Sequence, residues 1–133
     1  MILIIGGFSQ GKTEYLKSLP EYKKMMADGK LPETADGMTG SQELACKCPV
    51  ILGFHQYIKQ MSPDESAIQA FIDRIVLENP QAIITMDEVG GGIVPVDPED
   101  RIYRELVGRA GQRLAKEAEQ VHRVLCGIGV RIK

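Results

Sequence analysis

The residues best suited to chemistry lie at the start of the chain, where an apolar run from Met1 to Ile5 leads directly into a glycine-rich segment. That segment reads Gly6-Gly7-Phe8-Ser9-Gln10-Gly11-Lys12-Thr13 and fits the phosphate-binding pattern G-x-x-x-x-G-K-[ST] at each fixed position. Its glycines allow a turn in which backbone N–H groups surround an anion. The sequence therefore predicts a strand, a phosphate loop at residues 6–13 and the start of a helix. The alternative is a glycine-rich turn with an unrelated Lys-Thr pair.

Within this loop, two side chains have predicted roles. Lys12 at the first helical turn adds its charge to the positive end of the helix dipole and can reach the β- and γ-phosphates of a nucleotide. Thr13 places a hydroxyl where it can ligate Mg²⁺. We therefore predict Lys12 as a catalytic residue and Thr13 as a metal ligand.

A second candidate constellation is the acid pair Asp87-Glu88, which ends the apolar run that begins at Ala82. A nucleotide brings its own Mg²⁺, and a carboxylate opposite the loop hydroxyl completes the metal site, usually through water. Asp87 is the predicted metal-side acid, and Glu88 is predicted to accept the proton of an attacking hydroxyl. The alternative is two solvated acids at the end of a strand.

The histidines and cysteines give weaker signals. His55 could line the site, but closing a strand-to-helix turn is favoured, and no function is predicted for His122. Three cysteines are an odd number without a set of zinc ligands, so we expect reduced thiols. Cys46 and Cys48 could chelate a soft metal, although burial beside a strand is favoured.

Composition sets limits on the class of protein. The chain has 133 residues, of which 44% are hydrophobic, enough for a single domain over 1–133 with its own core. Its 16 basic and 18 acidic residues give a net charge of −2, which argues against a nucleic-acid partner. The apolar runs are far too short to span a membrane, so we expect a cytoplasmic protein.

Apolar periodicity predicts strands that alternate with helices. We expect a helix from Glu14 to Leu19, a second strand at Tyr22–Met26 and a surface loop over residues 27–40. The remaining predicted elements are a helix capped by Ser41, a strand at 49–54, a helix at 56–61, a helix capped by Ser62 with Pro63 first, a strand at 82–88, a helix at 98–120 and strands at 121–126 and 130–132. This order predicts an open, mainly parallel α/β sheet covered on both faces, with a short antiparallel strand at its C-terminal end. Ligands of such sheets bind beyond the carboxyl ends of the strands, where the phosphate loop and Asp87 both fall.

Four segments together resemble one known family. They are residues 2–13, the stretch Asp87-Glu88-Val89-Gly90-Gly91-Gly92-Ile93-Val94-Pro95, the helix segment 108–115 and the tail 121–133. They resemble the bifunctional adenosylcobinamide kinase/adenosylcobinamide-phosphate guanylyltransferase family, and the stretch 87–95 is the most specific of the four.

The resemblance implies a RecA-like P-loop fold with three α/β/α layers, a homotrimer, and phosphorylation of a hydroxyl on the cobinamide side chain. It places nucleotide phosphates at Gly7 to Thr13, with ATP or GTP and Mg²⁺ as the expected cofactors and a corrinoid as the partner. The family's guanylyl-accepting histidine lies in a segment rich in His and Arg, whereas residues 27–40 contain neither, so we expect guanylyl transfer to be lost. Two further departures are Gly53-Phe54, where the family has an acid and Cys, and Gly111-Gln112, where it has Asn-Gln.

These observations favour a nucleotide-dependent phosphotransferase similar to adenosylcobinamide kinase. The first alternative is a nucleotide-binding or regulatory relative that has lost its chemistry. The second is a P-loop kinase for another small hydroxyl compound.

Overall fold

A computed structural model describes residues 1–90 and 94–133 of the chain. Gly91, Gly92 and Ile93, which belong to the stretch that most specifically resembles the family, lie outside the described residues. The elements in chain order are β1 (Ile2–Gly6), α1 (Lys12–Ser18), α2 (Pro20–Met25), β2 (Thr34–Asp36), α3 (Gln42–Ala45), β3 (Val50–Leu52), α4 (Phe54–Met61), α5 (Glu65–Glu78), β4 (Ile83–Asp87), α6 (Pro98–Glu117), β5 (Gln120–Leu125) and β6 (Ile128–Arg131).

Within the described residues, these strands form one sheet in the order β2-β3-β4-β1-β5-β6. All neighbouring strands run parallel except β5 and β6, which form an antiparallel hairpin at one edge. Strand β1 lies between β4 and β5, and its last residue, Gly6, is opposite Asp87. The predicted fold class, a mainly parallel three-layer α/β sheet with a C-terminal antiparallel strand, is confirmed.

The sheet is covered by helices on both faces because its central strands are apolar on both sides. On one face, Leu3, Ile84 and Met86 pack with buried side chains of α4, α5 and α6. On the other face, Ile2 and Ile4 pack against Leu16, Leu19 and Tyr22 from α1 and α2. The phosphate loop is thus anchored by a strand that is buried on both sides.

Two predictions for residues 20–40 were wrong. Residues 20–25 form helix α2 rather than a strand, because Pro20 begins a helix that buries Tyr22 while its charged neighbours remain outside. The expected surface loop contains the edge strand β2, in which Ala35 is buried. A strand of three residues with a single apolar member has no periodicity that the sequence could reveal.

The other elements lie close to their expected positions. Ser41 caps α3 as predicted, since its hydroxyl accepts a hydrogen bond from the Leu44 amide at 3.3 Å. Helix α5 begins later than expected: Asp64, rather than Ser62, caps it by accepting from the Ala67 amide at 3.0 Å. Strand β3 ends at Leu52, because Gly53 has a φ of 65° and turns the chain into α4.

The cysteines are free thiols. Cys46 and Cys48 are buried, and burial raises the pKa of both thiols above the ordinary value, whereas Cys126 is exposed. Among the described residues, no three His, Cys, Asp or Glu side chains are grouped to hold a metal ion. No helix in the described part of the chain has the length and apolar character needed to cross a bilayer.

Candidate active site

The phosphate loop connects β1 to α1 at the carboxyl edge of the sheet. Gly11, immediately before the helix, has a φ of 88°, and Ser9 also lies in the left-handed region with a φ of 56°. Among the described residues, no acceptor takes a hydrogen bond from the amides of Gln10, Gly11, Lys12 or Thr13. A run of free amides at a helix N-terminus is the donor set that phosphate oxygens require. The loop therefore fits a nucleotide phosphate.

Lys12 and Asp87 meet at the centre of this edge. The Lys12 side chain is buried, and its Nζ donates to the Gly7 carbonyl and pairs with Asp87 Oδ1, both at 2.6 Å. Strand β4 brings Asp87 there because it pairs with β1 in the register that sets Asp87 opposite Gly6. The structure thus joins two of the predicted site residues by an ion pair.

Thr13 occupies the second position of α1, and its exposed side chain lines the same cavity as Asp87. A hydroxyl and one carboxylate are a sufficient protein contribution for Mg²⁺ when the nucleotide oxygens and water supply the remaining ligands. The chemistry of these two donors therefore fits the predicted metal site.

The cavity at this edge has a volume of about 480 Å³. One wall is residues 8–14, which include the predicted loop residues Phe8, Ser9 and Gln10. The opposite wall is formed by the ends of β2 and β3 with the start of α4, and the end of β4 lies between the two walls. Asp36, His55 and Gln56 belong to that opposite wall. The volume lies within the range of about 300–1,000 Å³ typical of small-molecule sites.

Glu88 lies on the other face of the sheet from Asp87, because side chains alternate along a strand. Its carboxylate accepts from Arg123 Nε at 3.0 Å and from Arg123 Nη2 at 3.3 Å. It borders a second cavity of about 330 Å³ between β4 and α6, lined by Val107 and Gly108 among others. The structure does not bring Glu88 into the phosphate-loop cavity, and its role as proton acceptor stays a prediction.

His55 has a larger part in the site than the sequence suggested. Its Nδ1 accepts the Asp87 amide at 3.1 Å, and its Nε2 lies 3.5 Å from Asp87 Oδ2. Burial lowers the pKa of His55 below the ordinary value; Lys12 lowers it further, and Asp87 opposes this change. A neutral ring that accepts at Nδ1 carries its proton on Nε2, facing the Asp87 carboxylate. His55 therefore lines the site and orients Asp87.

Asp36 is the site residue that the sequence analysis missed. It ends β2 at the same edge of the sheet as Asp87 and lines the cavity opposite the phosphate loop. The sequence did not single it out, because Asp36 is one of three acids, with Asp28 and Glu33, in a segment rich in glycine and polar residues.

The hairpin of β5 and β6 supports the loop from outside. The Cys126 amide donates to Gln10 Oε1 and the Gly127 amide donates to the Gln10 carbonyl, both at 2.8 Å. A Cβ atom at Gly11 would lie 3.1 Å from Gly127 Cα, so the loop and the hairpin turn are packed backbone to backbone. The antiparallel edge of the sheet thus fixes the outer side of the phosphate loop.

Comparison with known families gives a match over most of this chain. The model of the cobinamide kinase / cobinamide phosphate guanyltransferase family matches residues 50–132, a range that includes Asp87, Glu88 and the β5–β6 hairpin. The chain belongs to this family.

Curated relatives support the assignment over shorter ranges. The bifunctional adenosylcobalamin biosynthesis protein CobU of Salmonella typhimurium is 45% identical over 53 residues, which cover 40% of this chain and 29% of the relative. The protein of the same name from Escherichia coli K12 is 38% identical over 73 residues, which cover 52% of this chain and 40% of the relative. The matches therefore span less than half the length of these relatives.

Proposed function

We propose that this chain is a nucleotide-dependent phosphotransferase that transfers the γ-phosphate of ATP or GTP to a hydroxyl of a cobinamide-type corrinoid. The observation that carries the proposal is the convergence of Lys12, Thr13 and Asp87 on one cavity, in a chain of a family whose model is named for cobinamide kinase.

Each of these residues has a defined task. The loop amides and Lys12 bind the β- and γ-phosphates, and Lys12 stabilises the charge that develops during transfer. Thr13 and Asp87 would hold Mg²⁺, which would supply charge neutralisation at the transferred group. Transfer of this kind depends mainly on positioning and electrostatics, which a buried lysine at a helix start supplies.

Labelled nucleotide tests the proposal directly. The pure protein is incubated with γ-labelled ATP or GTP, Mg²⁺ and cobinamide, and phosphorylated corrinoid is measured. Lys12→Ala should abolish product and weaken nucleotide binding, whereas Lys17→Ala, on the exposed side of the same helix, should not. If the unaltered protein gives no phosphorylated product with either nucleotide, the proposal is wrong.

We infer further that this chain lacks guanylyl transfer. Its sequence has two histidines, and both rings already use both nitrogens. His55 accepts the Asp87 amide at Nδ1 and directs its Nε2 toward the Asp87 carboxylate, while the buried His122 pairs with Tyr15 through Nδ1 at 2.8 Å and with Gln120 through Nε2 at 2.9 Å. Neither ring therefore offers a free nitrogen to accept GMP. Incubation with α-labelled GTP should leave the denatured protein unlabelled, and a stable protein–GMP adduct would contradict this inference.

A second candidate function is nucleotide binding without chemistry. The observation that favours it is the Glu88–Arg123 ion pair, which holds the predicted proton acceptor away from the phosphate loop. This alternative requires nucleotide binding that depends on Lys12, with no transfer to cobinamide or to other small alcohols. The labelled-nucleotide assay therefore separates it from the phosphotransferase.

The homotrimer implied by the family resemblance also stays a prediction, which light scattering on the pure protein would test.

A further inference from the structure

We propose that Asp36 receives the proton of the acceptor hydroxyl, and that the wall around Asp36 selects an uncharged or cationic alcohol over an anionic one. The inference rests on the proposed phosphotransferase function and deepens it by naming the acceptor-side residue and the class of acceptor.

The position of Asp36 suits an acceptor-side base. It ends β2, where it is opposite Leu52 of β3, and its side chain is exposed to the cavity that the phosphate loop lines from the other side. A hydroxyl bound against this wall faces the loop that holds the γ-phosphate. In-line transfer requires the γ-phosphate of the nucleotide and the acceptor hydroxyl to face each other in one cavity.

The surrounding backbone holds the Asp36 carboxylate in place. The Gly37 amide donates to the Leu52 carbonyl at 2.8 Å, and the Gly40 amide donates to the Asp36 carbonyl at 2.6 Å. Asp36 Oδ1 accepts the Met38 amide at 2.9 Å, and no donor among the described residues bonds to Oδ2. One carboxylate oxygen therefore fixes the turn, and the other remains for a substrate proton.

The other acids near the cavity are less suited to this task. Asp87 is engaged by Lys12 and His55, and Glu88 lies on the opposite face of the sheet, paired with Arg123. Asp36 makes no ion pair with any described residue, so it is the carboxylate able to take a proton without breaking one.

Charge on the cavity wall limits the acceptor. Among the described residues that line it, Lys12 is the single Lys or Arg, while Glu14, Asp36 and Asp87 are acids. Lys12 is committed to the nucleotide phosphates, so nothing on the acceptor wall supplies the cation that a phosphate or carboxylate group needs. A neutral or cationic alcohol avoids the electrostatic repulsion that the acids lining the cavity exert on an anionic group.

The proposed step balances without any further reactant. The hydroxyl oxygen attacks the γ-phosphorus and forms the new P–O bond, and its proton passes to Asp36. The bond between the γ-phosphorus and the β–γ bridging oxygen breaks, and the nucleoside diphosphate leaves with that electron pair.

The test compares Asp36→Asn with Glu33→Gln. Asn retains the oxygen that accepts the Met38 amide but cannot take the proton, and Glu33 is an exposed acid in the same segment, outside the cavity. With cobinamide and saturating nucleotide, Asp36→Asn should lower kcat by about 10²- to 10⁴-fold while nucleotide affinity stays unchanged. Glu33→Gln should match the unaltered protein. Nucleoside monophosphates, used as anionic acceptors, should give no product.

Several results would overturn the inference. A normal kcat in Asp36→Asn would show that Asp36 does not take the proton, and a loss of kcat in Glu88→Gln beside it would assign that role to Glu88. Efficient phosphorylation of a nucleoside monophosphate would refute the selection against anionic acceptors. Equilibrium binding of cobinamide with a non-hydrolysable nucleotide separates this inference from the proposed function. If Asp36→Asn weakens cobinamide binding but the unaltered protein gives no transfer, the phosphotransferase and the proton transfer to Asp36 are both refuted, and only the acceptor wall is retained. No binding of cobinamide at all would refute both.

Discussion

Replacing Asp87 with Asn should tighten nucleotide binding in the absence of Mg²⁺ and should cancel most of that gain when Mg²⁺ is present. Lys12 Nζ lies 2.6 Å from Asp87 Oδ1, so it must exchange this carboxylate for phosphate when a nucleotide binds. Asn keeps the shape of the side chain but removes the competing charge. Metal-free nucleotide should therefore bind Asp87→Asn more tightly than it binds the unaltered protein.

The expected size follows from the partial burial of this ion pair, whose side chains are 10% and 16% exposed. A hydrogen bond to a charged group contributes about 1.5–3 kcal/mol net once desolvation is included. Losing that competition should tighten metal-free binding by about 10- to 100-fold, since about 1.4 kcal/mol corresponds to a factor of ten. With Mg²⁺, the lost carboxylate should weaken the metal contribution by about 10- to 100-fold, as for other partners that hold a metal through water, and this loss offsets the gain from the released Lys12.

Calorimetric titration with ATP measures both affinities, the metal-free one with a chelator present and the other with excess Mg²⁺. Asp28→Asn is the matched control, because Asp28 is exposed, lies outside the cavity and has a φ of 52° that Asn tolerates. It should leave both affinities unchanged. If Asp87→Asn fails to tighten metal-free binding, or tightens binding equally with and without Mg²⁺, Asp87 does not both restrain Lys12 and serve the metal, and the reasoning is refuted.

Three further predictions concern stability and thiol reactivity. Gly6→Ala places a Cβ atom 2.5 Å from the Val124 carbonyl oxygen and should lower the free energy of unfolding, measured in urea, by about 1–3 kcal/mol. Gly108→Ala, in open space on α6, should raise the free energy of unfolding by about 0.5–1 kcal/mol. Burial lowers the pKa of His122, so the unfolded chain binds more protons than the folded chain, and the free energy of unfolding should fall as the pH falls below about 6.5. His122→Gln should reduce this fall. An unchanged pH dependence in the variant would contradict the burial of a neutral His122. Cys126, which is exposed, should react rapidly with a thiol reagent while the two buried thiols react only on unfolding; three equally fast thiols would contradict the described burial.

The part of the site that follows from local pattern was predictable from sequence. The loop at residues 6–13 has a fixed spacing, and Asp87 ends an apolar strand long enough to recognise. The topology then decides the contact: because β4 lies beside β1 in parallel register, Asp87 must reach Lys12. An expected open parallel sheet places both residues at its carboxyl edge, and the observed pairing of β4 with β1 brings them into contact.

The remaining features depend on packing that sequence patterns do not carry. Strand β2 exists because it pairs with β3, not because Thr34, Ala35 and Asp36 favour a strand, so Asp36 could not be placed at the cavity in advance. Gly6 was expected, with the other glycines of the loop, to allow the turn that surrounds an anion. Its role is instead a close backbone approach to β5, since Gly11 and Ser9 are the loop residues in the left-handed region.

The alternation of side chains along β4 separates two adjacent acids into different environments. Asp87 faces the phosphate loop and pairs with Lys12, while Glu88 faces α6 and pairs with Arg123 of β5. Strand β5 continues into the hairpin turn whose Cys126 amide holds Gln10 of the phosphate loop. An acid pair that looks like one constellation in the sequence therefore has two environments in the structure: one carboxylate faces the phosphate-loop cavity, and the other ties β4 to the strand that supports the loop.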